Sequence, residues 1–193
     1  MCMKQGNKNK IAVIGHTKGI GKAISNLYKL KNHEVIGLSR SNGHDIIHDQ
    51  DKIMEKIEDC QLVVVNAHAG RGQLNLLKRI YSRHSFDKMK VAVITSTSGT
   101  EQGKDYDIDD EEYLQYCDLK KELIEYISDL QEELVIRPLS VYDVCPDVVD
   151  TDMIKDLWKD LPKLKAEEVA EAVRLCFEST FNINRIVIQK NAR

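Results

Sequence analysis

The chain has 193 residues, 42% hydrophobic and 31% charged, with a net charge of −3. That length and balance describe one soluble globular domain with room for a sizeable core. They offer no basic face for nucleic acid, and no apolar run approaches the length of a membrane span. Five cysteines, at positions 2, 60, 117, 145 and 176, form no Cys-x-x-Cys pair and leave an odd count. Reduced thiols and a cytoplasmic setting are therefore expected. Met1 to Lys10 is polar and basic without an apolar stretch, so it does not read as a secretory signal, and residues 1–9 are expected to be flexible.

Lys10-Ile11-Ala12-Val13-Ile14 is short, apolar and β-branched, as in a buried parallel strand. Gly15-His16-Thr17-Lys18-Gly19-Ile20-Gly21 follows at once, and apolar residues at 20, 23, 24, 27 and 30 then mark a helix. Strand, glycine-rich turn and helix make a dinucleotide-binding beginning. Gly15 permits the turn, Gly19 admits a pyrophosphate, Gly21 lets helix and strand pack, and the helix N-terminus offers N–H groups to the anion. The spacing is Gly-x-x-x-Gly-x-Gly rather than Gly-x-Gly-x-x-Gly, and a glycine-rich connection in any α/β protein would read similarly.

The expected strands are 10–14, 34–38, 61–66, 90–96, 140–145 and 185–189. The expected helices are 20–31, 50–58, 73–83, 111–131 and 166–179, with a short one near 152–159. This alternation predicts an α/β fold: a doubly wound, mostly parallel sheet with helices on both faces, a Rossmann-like three-layer sandwich. Right-handed crossovers then bring the ends of the strands to one edge. Gly15, Ser39, Asn66, Ser96 and Pro146 all follow expected strands, so they can line one crevice although distant in sequence.

Tyr116-Cys117-Asp118-Leu119-Lys120 falls on the expected helix 111–131. Positions four apart share a helix face, and an ammonium beside a phenol favours phenolate. Ser96 ends a strand twenty positions upstream and can hold a carbonyl oxygen against that phenol. The trio suits acid–base work at a C=O or CHOH carbon. Alone, a Tyr-x-x-x-Lys pair more often lies on a solvated surface.

With these residues in view, the chain resembles the short-chain dehydrogenase/reductase family, as a shortened member, from Lys10 to about Met153. Gly15, Gly19 and Gly21 match its glycine motif. Asn66-Ala67-His68-Ala69-Gly70 looks like its Asn-Asn-Ala-Gly segment, and Ile94-Thr95-Ser96-Thr97-Ser98-Gly99 like its Ser-Ser-x-x-Gly segment. Cys145-Pro146-Asp147-Val148-Val149-Asp150-Thr151-Asp152-Met153 resembles its Pro-Gly-x-Val-x-Thr segment, with Asp147 in place of glycine.

The resemblance implies catalysis by Ser96, Tyr116 and Lys120. Ser96 would hold the substrate oxygen, Tyr116 would pass the proton, and Lys120 would lower the phenol's pKa and bond the cofactor ribose. It also implies a nicotinamide dinucleotide held by Gly15, Thr17, Lys18, Gly19, Ile20, Gly21, Ser39, Arg40, Asn66, Ala67, Gly70, Tyr116, Lys120 and Pro146. Val149 and Thr151 would fix the carboxamide, and Asp45-Ile46 would contact the adenine.

Ser39-Arg40-Ser41 follows the second strand where NAD-preferring folds place a carboxylate, and Lys18 adds a second cation nearby. NADP(H) is therefore expected over NAD(H). The substrate is expected to be a small carbonyl or alcohol, bounded by loops 97–112 and 147–164. The resemblance implies a homo-oligomer built through the helices around 73–83 and 111–131, but the first of these is shortened here and the sequence leaves the oligomeric state open.

The chain also departs from the family. Only Ser41 to His44 separate Arg40 from Asp45, so the usual helix between the second and third strands is expected to be lost. The helix after Gly70 is short. The family's catalytic asparagine lies in that stretch, whose single asparagine, Asn75, comes too early and is left out. These losses favour an alternative: a non-catalytic dinucleotide-binding sensor or interaction module on the same fold. A metal site at His44, His48 and Asp49 is a weaker third reading. Asp105 to Glu112 reads as a solvated loop with Asp109 or Asp110 capping a helix. Met153, Ile154, Leu157 and Trp158 read equally as a lid over the substrate or as plain packing.

Overall fold

The computed structural model describes residues 9–100, 110–154 and 161–190. Six strands form one sheet: β1 (Lys10–Ile14), β2 (Glu34–Leu38), β3 (Leu62–Val65), β4 (Lys90–Ile94), β5 (Ser140–Pro146) and β6 (Arg185–Ile188). Their order is β2-β1-β3-β4-β5-β6, and every pairing is parallel. The strands alternate with α1 (Gly19–Leu30), α2 (Gln50–Ile57), α3 (Gly72–His84), α4 (Glu111–Glu133) and α5 (Ala166–Glu178).

The central strands are buried on both faces, which is why they read as unbroken apolar runs. Along β3 the side chains alternate: Val63 and Val65 join one core, Leu62 and Val64 the other. The first core packs under α2, α3 and α4 through Ile53, Leu77 and Ile127. The second packs under α1 and α5 through Ile24, Tyr28 and Val173. Burying each such side chain favours folding by about 1.5–3 kcal/mol. On α1 the stripe turns towards Tyr28, four after Ile24, so Leu30 at the helix end is exposed rather than packed.

α4 starts at an aspartate cap: the Asp110 side chain accepts from the backbone N–H groups of Glu112 and Tyr113. Its buried stripe is Lys120, Leu123, Ile124, Ile127 and Leu130. Lys120 thus sits at the head of an apolar face, and its burial follows from helix register. Asp143, also buried, lies between the Thr95 hydroxyl and the Arg185 guanidinium, which ties the end of β4 to the middle of β5 and the start of β6.

Several elements differ from the sequence expectations. Asn66, Thr95 and Ser96 lie just beyond their strands, because β3 ends at Val65 and β4 at Ile94. After β2 the chain forms a short 3₁₀ turn, Arg40–Asn42, pinned by the Asn42 side chain to Ser39 N–H and the Gly37 carbonyl. A helix does cross from β2 to β3, but it is α2, which begins beyond Asp45 at Gln50. Near 152–159 the described part is a 3₁₀ turn, Asp152–Ile154; Leu157 and Trp158 lie outside the described residues, as do positions 101–109 of the expected substrate loop. Among the described residues no helix is long and apolar enough to cross a membrane.

Candidate active site

The chain runs from β1 outward to β2, then returns across β1 to β3 and continues the other way. The reversal opens a crevice at the carboxyl ends of the strands. A cavity of about 700 Å³ lies there. Gly15, Thr17, Lys18, Gly19, Ile20, Ser39, Arg40, Asn66, Ala67, Ser96, Tyr116, Lys120, Pro146, Val149 and Thr151 all line it.

Three expected contacts do not. Gly21 lies beneath the wall, where a Cβ would come within 2.0 Å of the Gly15 carbonyl oxygen. No side chain fits there, so glycine is what allows α1 to close onto β1. Gly70 stands exposed on the loop after β3. Asp45 turns inward to its own backbone, its Oδ1 accepting from Ile47 N–H at 2.7 Å and His48 N–H at 3.2 Å, so Ile46 beside it lines the cavity instead. Asp49 is likewise committed, to Asp45 N–H and the Lys52 ammonium. Among the described residues no group of three or more His, Cys, Asp or Glu is placed to hold a metal ion.

The nucleotide end of the crevice is built by the glycine turn. Gly15 takes φ +89°, and its carbonyl accepts from Asn66 Nδ2 at 3.0 Å, which locks the turn to the end of β3. Lys18 at the N-cap of α1 makes no side-chain cap, and the first turn carries no acidic residue. The N–H groups of that first turn therefore have no acidic side chain of their own helix to compete with a bound anion. These features fit a dinucleotide's pyrophosphate. Arg40 is exposed beside Ser39 and Ser41. Lys18 reaches the other way, to Asp152 at 3.6 Å, an exposed pair of little energetic weight.

At the other end Ser96, Tyr116 and Lys120 converge. Ser96 caps the 3₁₀ turn Thr97–Gly99, its Oγ accepting from Ser98 N–H at 3.2 Å. A Cβ on Gly99 would meet the Lys120 backbone carbonyl carbon at 2.7 Å, so glycine here lets the Ser96 turn lie directly on the Lys120 turn of α4. The Tyr116 phenol is pushed up to about 12 by burial, and a hydrogen bond with Ser96 works against that rise.

Lys120 is not among the groups that shift this phenol. Its Nζ lies 5.5 Å from the centre of the Tyr116 ring and donates instead to Gln73 Oε1 at 2.7 Å and to the Ile94 carbonyl at 3.0 Å. Burial pulls its own pKa down to about 7, against the pull of Asp143 and Cys145. Burial of the phenol itself is what raises its pKa, so the phenol keeps its proton at neutral pH.

Gln73, His68 and Tyr113 are site residues that the motif reading missed. The His68 ring meets Tyr116 edge-on at 4.9 Å and is held neutral, its pKa lowered to about 4 by burial and then by Lys120, against a hydrogen bond with Gln73. Tyr113 stacks along Tyr116 at 6.4 Å and donates to Ser98 Oγ at 3.2 Å. Tyr113 was legible as one helical turn before Tyr116. Gln73 was legible as a polar residue on the apolar side of α3, three before Leu76 and four before Leu77. Asn75 is exposed on α3, away from the cavity lining. Asp147 lines the cavity, its Oδ1 accepting from the Thr97 hydroxyl at 3.0 Å.

The fold is that of the short-chain dehydrogenase/reductases. A 3-ketoacyl-(acyl-carrier-protein) reductase from Brucella melitensis, solved with NADH, superposes with a TM-score of 0.78 at 14% identity, covering 93% of this chain and 96% of its own. A short-chain dehydrogenase from Burkholderia cenocepacia, solved with NADP, gives 0.75 at 14%, covering 95% and 89%. A 3-alpha-hydroxysteroid dehydrogenase from a Pseudomonas species, solved with NADH, gives 0.71 at 16%, covering 93% and 94%. No protein-family model and no curated protein matches the sequence.

Proposed function

We propose that this protein is a single-domain oxidoreductase of the short-chain dehydrogenase/reductase family, NADP(H)-dependent, interconverting a carbonyl and an alcohol on a small molecule. The observation that carries the reading is the position of Ser96, Tyr116 and Lys120 in the same cavity as the glycine turn at the N-terminus of α1. Binding alone does not need that trio. The three structural neighbours named above were solved with NADH or NADP, which supports a nicotinamide dinucleotide.

When bound, the cofactor supplies or accepts the hydride. The backbone of Gly15–Ile20 would bind the pyrophosphate, with Asn66 holding that turn in place. Arg40, with Ser39 and Ser41, would pair with a 2′-phosphate, which a carboxylate at this position would repel. The Val149 backbone and Thr151, at the cavity wall, would orient the nicotinamide, with Ala67 and Pro146 beside them. Ser96 would donate to the substrate oxygen and hold it against Tyr116. A phenol that keeps its proton at neutral pH is suited to giving that proton to a carbonyl oxygen. Lys120 would bond the cofactor ribose from its place on α4. A cytoplasmic location and association of copies through α3 and α4 belong to the same reading.

The test is calorimetric titration with NADPH and NADH, followed by a panel of aldehydes and ketones monitored through the absorbance of the reduced cofactor. Tight NADPH binding with turnover of one carbonyl class supports the assignment. Binding with no turnover across the panel leaves the non-catalytic module, and no binding of either cofactor overturns both.

A further inference from the structure

Gln73 is 2% exposed and stands in the first turn of α3, at the centre of the carboxyl edge of the sheet. Its Nε2 donates to two strand-end carbonyls, Val65 at 3.1 Å and Ile94 at 3.0 Å. An amide whose nitrogen faces two acceptors has only one way round. Its Oε1 is therefore presented in a fixed direction, towards Lys120 Nζ at 2.7 Å, and the same amide also hydrogen-bonds His68. The same Ile94 carbonyl accepts a second bond from Lys120 at 3.0 Å. One glutamine thus joins the ends of β3 and β4 to the buried amine of α4.

We propose that Gln73 is the positioning residue for Lys120: its amide, oriented by β3 and β4, holds the amine at the cavity wall beside Tyr116 and favours its protonated form. This deepens the reading above and rests on it for the word catalysis. An unpaired ammonium among apolar side chains would lose its proton or swing away. An acceptor that cannot itself rotate prevents both. Gln73 needs no contact with substrate to matter, because it acts through the lysine.

The charged and titratable groups facing Lys120 are few. Asp143 and Cys145 act from β5, Tyr116 from its own helix and His68 from the loop after β3. His68 is neutral near pH 7, Tyr116 keeps its proton, and Asp143 is shared with Thr95 and Arg185. Gln73 is the direct side-chain acceptor for the amine among these contacts, so changing it should move the lysine's titration in a sign set by the replacement.

The experiment is NMR titration of the full chain labelled with ¹³Cε-lysine, with the Lys120 signal assigned by its loss in K120R. Gln73→Met keeps length and apolar volume but removes the strong acceptor and both donors, so the Lys120 midpoint should fall by about one pH unit. Gln73→Glu sets a carboxylate against the amine, so the midpoint should rise by about one pH unit or more. Shifts of opposite sign support positioning. A residue that merely braces the strands would lower thermal stability in both variants and leave the Lys120 midpoint where the parent has it, and that result overturns the proposal. If Q73M does not fold, the sign of the Q73E shift decides alone. Turnover is measured on the same variants. Opposite shifts in a protein that turns over no carbonyl would keep the positioning role and remove the catalytic reading. Unmoved midpoints in an active enzyme would do the reverse.

Discussion

Lys120 and Ile94 are joined across the sheet: the amine of the fourth helix donates to the last carbonyl of β4, two residues before Ser96. The bond links the element that carries Ser96 to the one that carries Tyr116, because Ser96 continues directly from the strand that anchors the lysine. It also explains why Tyr116, four residues before Lys120, faces the serine and not solvent.

Tyr116→Phe removes one hydroxyl and nothing else from that arrangement. Turnover of any carbonyl substrate should fall by about 10²–10⁴, the usual worth of a positioned proton donor. NADPH affinity should stay near the parent value. The check is steady-state kinetics beside a cofactor titration. A variant that keeps the parent rate would show that the phenol is not the acid.

Arg40→Ala should weaken NADPH far more than NADH. Losing a charged hydrogen bond costs about 1.5–3 kcal/mol, roughly ten- to a hundredfold in affinity. Lys18→Ala should weaken NADPH in the same direction, since its exposed pair with Asp152 is too weak to hold the ammonium from a phosphate. The ratio of the two dissociation constants is the measurement. An equal loss for both cofactors would remove Arg40 from the 2′-phosphate.

Gly99→Ala should damage the site from outside it. The new methyl would press on the Lys120 and Lys121 backbone at 2.7 Å, and a helix backbone gives way less readily than a side chain. Overpacking of this kind costs about 1–3 kcal/mol. The melting temperature should drop, and turnover should fall more than NADPH affinity, because the turn that carries Ser96 must move off α4. A variant as stable and as active as the parent would mean that the Ser96 turn is free to shift.

Much of this was legible in the sequence because it depends on local pattern. The central strands β1, β3 and β4 are short apolar runs such as Leu62–Val65, buried almost throughout, and no helix period fits them. The Gly15–Gly21 turn and the Tyr116–Lys120 spacing follow from local geometry. The misreadings arise where tertiary contacts override it. Asp45 reads as a ligand but spends its carboxylate on the N–H groups of Ile47 and His48. Lys120 reads as a cation beside its neighbour in sequence, and its Nζ does lie over the Tyr116 ring, but its hydrogen-bond partners, Gln73 and Ile94, lie 47 and 26 positions away. Gln73 belongs to no motif, and only the folded sheet shows the two carbonyls that aim it.

Lys120 should also leave a signature in stability against pH. In the unfolded chain a lysine holds its proton to about pH 10.4. In the folded protein burial lowers this to about 7. Between those limits the unfolded state binds more protons, so stability rises with pH across that window and is lost as pH falls towards 7. Lys120→Met removes this contribution. Denaturant unfolding of parent and variant from pH 6 to pH 10 (roughly the window set by the reference lysine value) should give a steeper upward slope for the parent. The difference between the two curves isolates Lys120, because the other titrating groups are common to both proteins. The variant gives up the bonds to Gln73 and Ile94, which lowers its curve at every pH without tilting it. Two parallel curves would mean that Lys120 titrates in the folded protein as it does in water, and that its burial costs the ammonium nothing.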